Sequence, residues 1–509
     1  MSSEVAHAGV SPTPHRNMIT LTVMVASILQ ALDNTIANVA LPRMQGSLSA
    51  TQDQMTWVLT SYIVAAAIMT PLTGWLADRF GRKPLFLGSI VGFTAASALC
   101  GAALSLDQIV LFRVLQGLCG AALIPMSQAV LFDTYPSHQH GRAMAIWGVG
   151  VVLGPMLGPM LGGWLTDNYS WRWVFYINVP FGVLAVLGVL AYFPDTKHAR
   201  KSFDFFGFAL LSIAVGTLQV FLDRGPLKDW FNSSEIQIEA AIAALAFYLF
   251  ATHTLTARQP FIHLALYKDR NFLTGNILIF VVGIVLFATL ALLPPLLQGL
   301  MGYSVFQAGL VMVPRGAGTL LAMLFIGRLV GRIDVRLIIG VGLLLTAYSM
   351  WQMTQLSMQF DMSSIVWPGA IQGLGVGIVY VPMAALTFAT LGPSFRNEGT
   401  ALFNLVRNVG SSIGISAVQG LMVRNTQVVH ATLAEHVSKF GAAHHAFGGY
   451  VGAQALAALN RGVTRQAAMI AYLDDFQLML ILTLLSLPLL LLVRSPRAAG
   501  AEVKHAALE

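Results

Sequence analysis

The sequence predicts an all-α membrane protein that crosses the bilayer fourteen times, as two six-helix halves with two additional central transmembrane helices between them. Three observations predict it. The 509-residue chain is 56% hydrophobic and only 10% charged, with a mean hydropathy of +0.71, whereas a soluble protein is typically about 25% charged. Fourteen stretches reach the roughly 20 apolar residues that a helix needs to span the hydrocarbon core. There is also an internal echo: Leu115-Gln116-Gly117-Leu118 and Ile124-Pro125-Met126 return as Ile371-Gln372-Gly373-Leu374 and Val381-Pro382-Met383. Gly74-Trp75-Leu76 returns more weakly as Gly327-Arg328-Leu329.

Residues 1–17 form a polar tail, and the first span covers 18–41. Its apolar run is too long for a signal peptide and lacks a convincing cleavage site, so it is an uncleaved helix. Placing the N-terminus in the cytoplasm puts most of the 29 Lys and Arg on that side, as the positive-inside rule requires. The net charge of +7 therefore reflects topology and gives no reason to expect nucleic acid. Two cysteines, Cys100 and Cys119, lie in apolar runs, which excludes a disulfide framework or a clustered cysteine metal site.

Within the first span stands Asp33. A carboxylate in hydrocarbon is costly, and by default it marks a functional site such as a proton relay. Asn34, Thr35 and Asn38 extend the polarity along part of the helix. Residues 56–77 form the second span, and Gly74-Trp75-Leu76-Ala77-Asp78-Arg79-Phe80-Gly81-Arg82-Lys83 joins it to the third at 84–105. Glycines permit a sharp turn there, and Asp78 is suited to meet a helix N-terminus or an arginine in one conformation only. Span four, 108–131, carries Arg113-Val114-Leu115-Gln116-Gly117. An intramembrane arginine must find an anion, a carbonyl or water, which serves either coupling or helix anchoring. Span five, 142–165, places Gly150, Gly154, Gly158 and Gly162 at four-residue intervals, with Pro155, Pro159 and Gly163 among them. Such a ladder admits a second helix closely. Span six is 172–193, entered through Trp171-Arg172-Trp173-Val174-Phe175-Tyr176-Ile177-Asn178-Val179-Pro180.

These stretches resemble the major facilitator superfamily. The Gly74 to Lys83 loop is similar to its signature loop, the segment at Arg113 to its second motif, and Gly154-Pro155-Met156-Leu157-Gly158-Pro159-Met160-Leu161-Gly162-Gly163 to its antiporter motif. With fourteen spans, Leu32 to Pro42 and Trp171 to Pro180 resemble the fourteen-span drug:proton antiporters, most of all inner-membrane multidrug efflux pumps of the EmrB type. The resemblance implies proton coupling by Asp33 and Arg113 and a latch at Gly74, Asp78, Arg79, Gly81 and Arg82. It also implies a membrane-fusion protein and an outer-membrane channel as partners. The loop after span ten departs from the pattern, because Gly331 stands where an acid is expected.

Residues 194–256 form a linker holding the extra spans, 204–222 and 236–256. The second half, 257–493, contains spans at 272–295, 306–327, 335–356, 364–388, 399–423 and 475–493. Arg315 follows Pro314 in one of them and Arg407 lies in another, each fitting a cavity or a helix anchor equally. Candidate substrate contacts are Asn34, Asn38, Tyr62, Gln116, Gln128, Arg315, Gln372, Tyr380, Phe403, Asn404 and Arg407, residue types that also serve as packing. Residues 424–474 are too polar to span and form an external loop with partial helicity. Its His430, His436, His444 and His445 lack the spacing of a metal site. Residues 494–509 form a second cytoplasmic tail.

The expected function is proton-coupled export of hydrophobic or amphipathic toxic compounds across a bacterial inner membrane, without a cofactor. When charged, Asp33 is expected to favour a cationic or polar group of the substrate. A dedicated exporter of one metabolite, such as a siderophore, fits the same chemistry. A receptor or scaffold has no need for a buried acid, an intramembrane arginine and a kinked glycine span together. No nucleophile triad, zinc signature or phosphate loop points to an enzyme.

Overall fold

Hydrocarbon offers backbone groups no water, so a spanning segment must satisfy its hydrogen bonds internally, and the apolar stretches are accordingly helical. The computed structural model describes residues 15–136, 139–194, 203–329, 333–392, 395–435 and 453–493, and among these there is no strand. The first half comprises α1 (Arg16–Leu48), α2 (Gln52–Met69), α3 (Leu72–Phe80), α4 (Arg82–Ala102), α5 (Leu106–Gly120), α6 (Leu123–Thr134), α7 (His140–Asn168), α8 (Trp173–Tyr176) and α9 (Asn178–Tyr192). The extra pair is α10 (Phe205–Arg224) and α11 (Ser234–Thr256). The second half comprises the short α12 (Ala265–Lys268), then α13 (Arg270–Pro295), α14 (Val305–Leu329), α15 (Val335–Met353), α16 (Ser363–Thr387), α17 (Arg396–Glu435) and α18 (Ala453–Ser486).

Among the described residues, twelve helical segments are long and apolar enough to cross a membrane, and α2 with α3, bent by 55° at their junction, makes a thirteenth. The remaining expected span, 399–423, lies within α17, which does not meet that measure. Its interior carries Asn404, Arg407 and Asn408, so the helix is held by partners in the bundle and not by apolarity alone. Helices also replace part of the expected loop. α17 continues to Glu435 and α18 begins at Ala453, while residues 436–452, with His436, His444 and His445, lie outside the described residues.

In each half the first helix packs lengthwise on the fifth: α1 on α7, and α13 on α17. α10 reaches both halves. The Thr60 hydroxyl of α2 donates to Asp223 of α10, Ser412 of α17 donates to Gln219 at 2.9 Å, and Ser416 donates to the Leu222 carbonyl. We call the end at which α1 begins the near end. There α3 and α6 press on the start of α17, and α7 lies along α14, where Gly327 admits Ala145 and Gly148 admits Met323. Deeper in the seam the fully buried Trp147 donates to Ser27 at 2.8 Å and stacks on Tyr380 of the other half.

Candidate functional site

The glycine ladder of α7 sets the position of α1. A Cβ added at Gly154 would lie 2.6 Å from the Ala31 Cβ and from the Leu32 nitrogen, and one at Gly158 or Gly162 would press on Thr35 or Ile36 in turn. Backbone contact of this kind needs glycine on one side. Pro155 and Pro159 both remain inside a continuous helix, and Gly163 faces Val39 more loosely. With α1 so seated, Asp33 points away from α7 into the first half, fully buried.

Donors from two helices, α5 and α9, converge on its carboxylate. Arg113 Nη1 donates to Oδ2 at 2.7 Å, while Gln116 Nε2 and Asn178 Nδ2 both donate to Oδ1 at 2.9 Å. Arg113 and Gln116 stand three residues apart on α5 and so share a face, and Arg113 also donates to Gln116 Oε1 at 2.9 Å. Asn178, the first residue of α9, donates to Ser97 Oγ at 2.9 Å as well, and Ser97 in turn donates to the Phe175 carbonyl at 2.9 Å. The Arg113 guanidinium lies between two rings, 4.8 Å from the Phe175 centroid and 5.3 Å from that of Tyr62. Side-chain exposure is 2% for Arg113 and 0% for Asp33.

Such a pair is held together by geometry and by the neutral donors that complete its hydrogen bonding, because desolvating two ions costs nearly what their attraction returns. The expectation that charged Asp33 contacts a substrate cation meets a different arrangement here: both of its oxygens are taken by protein donors. What the site can do is respond to a proton, since the ion pair exists only while Asp33 is ionised.

The other expected substrate contacts do not converge on one cavity in this state. Asn34 and Asn38 are exposed on a different face of α1 from Asp33. Gln128 accepts from Asn404 at 2.6 Å across the seam between halves. Gln372 donates to Thr289 at 3.1 Å, Arg315 to the Leu286 carbonyl at 3.1 Å, and the half-buried Arg407 to the Tyr380 hydroxyl at 3.3 Å. Phe403 is fully buried against Phe388. Polar groups inside a bilayer find one another where no water is available.

At the near end, the loop from α3 to α4 engages the start of α17. Asn397 donates to Asp78 at 2.6 Å and accepts from Arg82 Nε at 2.9 Å. Arg82 also pairs with Asp133 of α6, which accepts from Arg396 at 2.7 Å. Gly74 lies against the backbone of Glu398, where a Cβ would come within 3.0 Å of its Cα. Gly81 adopts φ 88°, the conformation that favours glycine. Arg79 is exposed and outside this network. Beside it, a cavity of about 280 Å³ is bounded by Asp78, Asp204, His263 and Glu398, among others. Burial would raise the Asp204 carboxyl, but hydrogen bonds from the Gly207 and Phe261 backbones and from His253 outweigh it and hold it below the usual range. In the second half, Gly331 and Arg332 lie outside the described residues.

The profile of the Major Facilitator Superfamily matches residues 23–415. The chain belongs to the major facilitator superfamily. It is 36% identical to the multidrug export protein EmrB of Escherichia coli K12 over 426 residues, covering 83% of each chain. It is 35% identical to the fatty acid resistance protein FarB of Neisseria gonorrhoeae over 490 residues, covering 95% of this chain and 97% of that one. These relatives place it with the EmrB-type members of the superfamily. Among solved structures, the human organic anion transporter MFSD10 superposes with a TM-score of 0.60 at 15% identity, covering 92% of this chain and 100% of the other. The proton:xylose symporter XylE superposes with a TM-score of 0.61 at 12% identity, over 92% and 95%. At such identities these two share the fold alone.

Several residues of this major facilitator site carried no role in the sequence. Asn178 stood inside the Trp171 to Pro180 motif, yet nothing in its spacing pointed to Asp33. Asp133, Arg396 and Asn397 lie between the expected spans, and only the meeting of α17 with α3 and α6 gives them partners. Asp475, at the edge of the last expected span, proves to be buried in α18 with neither carboxylate oxygen hydrogen-bonded. Among the described residues no cluster of His, Cys, Asp and Glu is arranged to hold a metal, and His430 meets Asn460 at 2.9 Å.

Proposed function

We propose that this protein is a proton-driven antiporter that exports hydrophobic or amphipathic toxic compounds across a bacterial inner membrane, with both termini cytoplasmic. The sealed Asp33 to Arg113 pair carries the reading. Protonating Asp33 abolishes the ion pair and frees the Arg113 guanidinium, so a proton alters the contacts that tie α1, α5 and α9 together. A ligand shifts a conformational equilibrium only through such differential contacts. With the near end cytoplasmic, the engaged Asp78, Arg82 and Asn397 network would hold the inner side closed.

The names of the relatives, multidrug export for EmrB and fatty acid resistance for FarB, support the substrate class. No cofactor is required, since the proton gradient supplies the energy. The ends of α17 and α18 beyond residue 424 and before residue 474 pair through Asn425 with Asp474 and through His430 with Asn460. They extend on the external side, where a membrane-fusion protein and an outer-membrane channel would complete a tripartite pump.

The test is Asp33→Asn, which nearly preserves volume and removes the titratable group. Uptake into proteoliposomes driven by a pH gradient is expected to vanish while the variant still inserts into the membrane, with a lower melting temperature because Arg113 is left buried without its anion. Parental rates in the variant would refute coupling through Asp33.

A further inference from the structure

The two halves carry the same polar contact with different chemistry. Gln116 reaches back 83 residues to Asp33, and Gln372 reaches back 83 residues to Thr289. Thr289 thus occupies the place of the acid in the second half, and Gly369 occupies the place of Arg113. The side chain missing at Gly369 leaves room beside Arg315 of the neighbouring α14: a Cβ at Gly369 would lie 3.8 Å from the Arg315 Cβ. The second half therefore has its arginine without the acid.

Arg315 is 5% exposed. Its Nη2 donates to the Leu286 carbonyl at 3.1 Å, its Nη1 is buried without a partner, and no acidic side chain pairs with it among the described residues. Gln372 Oε1 is likewise buried without a partner. Leu286 and Thr289 are three residues apart on α13, so both contacts fall on one helix face. A lone cation in a bilayer is expensive and marks a substrate or ion pathway. Pinning α14 to a carbonyl uses one of five guanidinium donors and needs no charge.

We propose that Arg315 anchors an anion subsite that takes the carboxylate of an amphipathic monocarboxylate; the substrate class is thereby named within the exporter reading above, on which it rests. A guanidinium matches a carboxylate with two parallel hydrogen bonds. One cation neutralises one negative charge, which selects a monoanion. Leu286, whose carbonyl Arg315 holds, borders a void of about 20 Å³ together with Val282, Val285 and Val376. Access follows from the seam. Gly316 sits against Met156 of α7, so parting the halves at the near end uncovers the segment that carries Arg315. In the present closed state the Leu286 carbonyl stands in for the carboxylate.

The experiment compares dodecanoate with ethidium in proteoliposomes, and dodecanoate with dodecanol in equilibrium binding to the purified protein. Losing a charge-assisted pair predicts that Arg315→Gln weakens dodecanoate binding at least about tenfold while dodecanol binding changes less than about twofold, with Arg315→Lys intermediate. Equal losses for dodecanoate and dodecanol, or unchanged dodecanoate binding, would overturn the subsite. So would a parent protein that binds dodecanol as tightly as dodecanoate, a comparison that does not depend on any variant folding. Binding without pH-driven transport of either compound would count against the antiport reading and leave the subsite standing.

Discussion

Arg113 meets Asp33 at 2.7 Å in a pocket sealed from solvent, and the acid's other oxygen is held by Gln116 and Asn178. The two charges come from α5 and α1, and the neutral donors from α5 and α9. One carboxylate therefore ties three helices together.

Arg113→Ala leaves Asp33 buried and unpaired, which costs about 3–5 kcal/mol. Arg82→Ala breaks a partly exposed contact, worth about 1 kcal/mol or less. Transport in proteoliposomes is accordingly expected to fall much further for Arg113→Ala, with a lower melting temperature in detergent. Equal mild losses would assign Arg113 to structure alone.

Asn178→Ala removes one of two donors to Oδ1 and its link to Ser97, a loss of about 1–2 kcal/mol. Transport should drop roughly tenfold on that scale, and Asn178→Ser should recover part of it. Activity indistinguishable from the parent would remove Asn178 from the site.

Gly154→Leu and Gly158→Leu force α1 and α7 apart where their backbones touch. Both variants should reach the membrane and fail to transport, as judged by membrane yield and vesicle uptake. Normal kinetics in either would refute the close-packing role of the ladder.

Asn397→Ala cuts the hydrogen bonds to both Asp78 and Arg82, shifting the near end toward opening by about 1–2 kcal/mol. The probe is Ala145→Cys, on the seam between α7 and α14, where labelling by a maleimide should accelerate about tenfold for that energy. An unchanged labelling rate would place closure elsewhere.

Replacing residues 430–465 with a short Gly/Ser linker removes the tips of α17 and α18. If these dock a membrane-fusion protein, vesicle transport persists while co-purification with that protein and drug resistance in cells both fall. Unchanged co-purification would exclude the extension as the docking element.

Where hydropathy is high, the spans were legible, because a long apolar stretch admits no structure but a helix in lipid. α17 escapes that rule. Arg407, Asn404 and Asn408 depress its apolarity, and contacts with α13, α18, α10 and Gln128 account for its place in the bundle. Asp33, Arg113 and the ladder at Gly154 stood out because an ion or a glycine at such depth is costly unless used. Asn178 did not, since an asparagine near a helix start is unremarkable until its partner is known.

The sequence by itself determined most of the apolar helices, the burial cost that singles out Asp33 and Arg113, and the family they resemble. These follow from local rules: hydrophobic length, the cost of buried charge, and glycine spacing along one helix. The tertiary structure alone decided that Asp33 is saturated by three partners, that Asn397 bridges Asp78 and Arg82 at the near end, and that Arg315 lacks an acid. Each of those depends on pairs separated by tens to hundreds of residues, and hydrogen bonding acts over about 3 Å of space, whatever the distance along the chain.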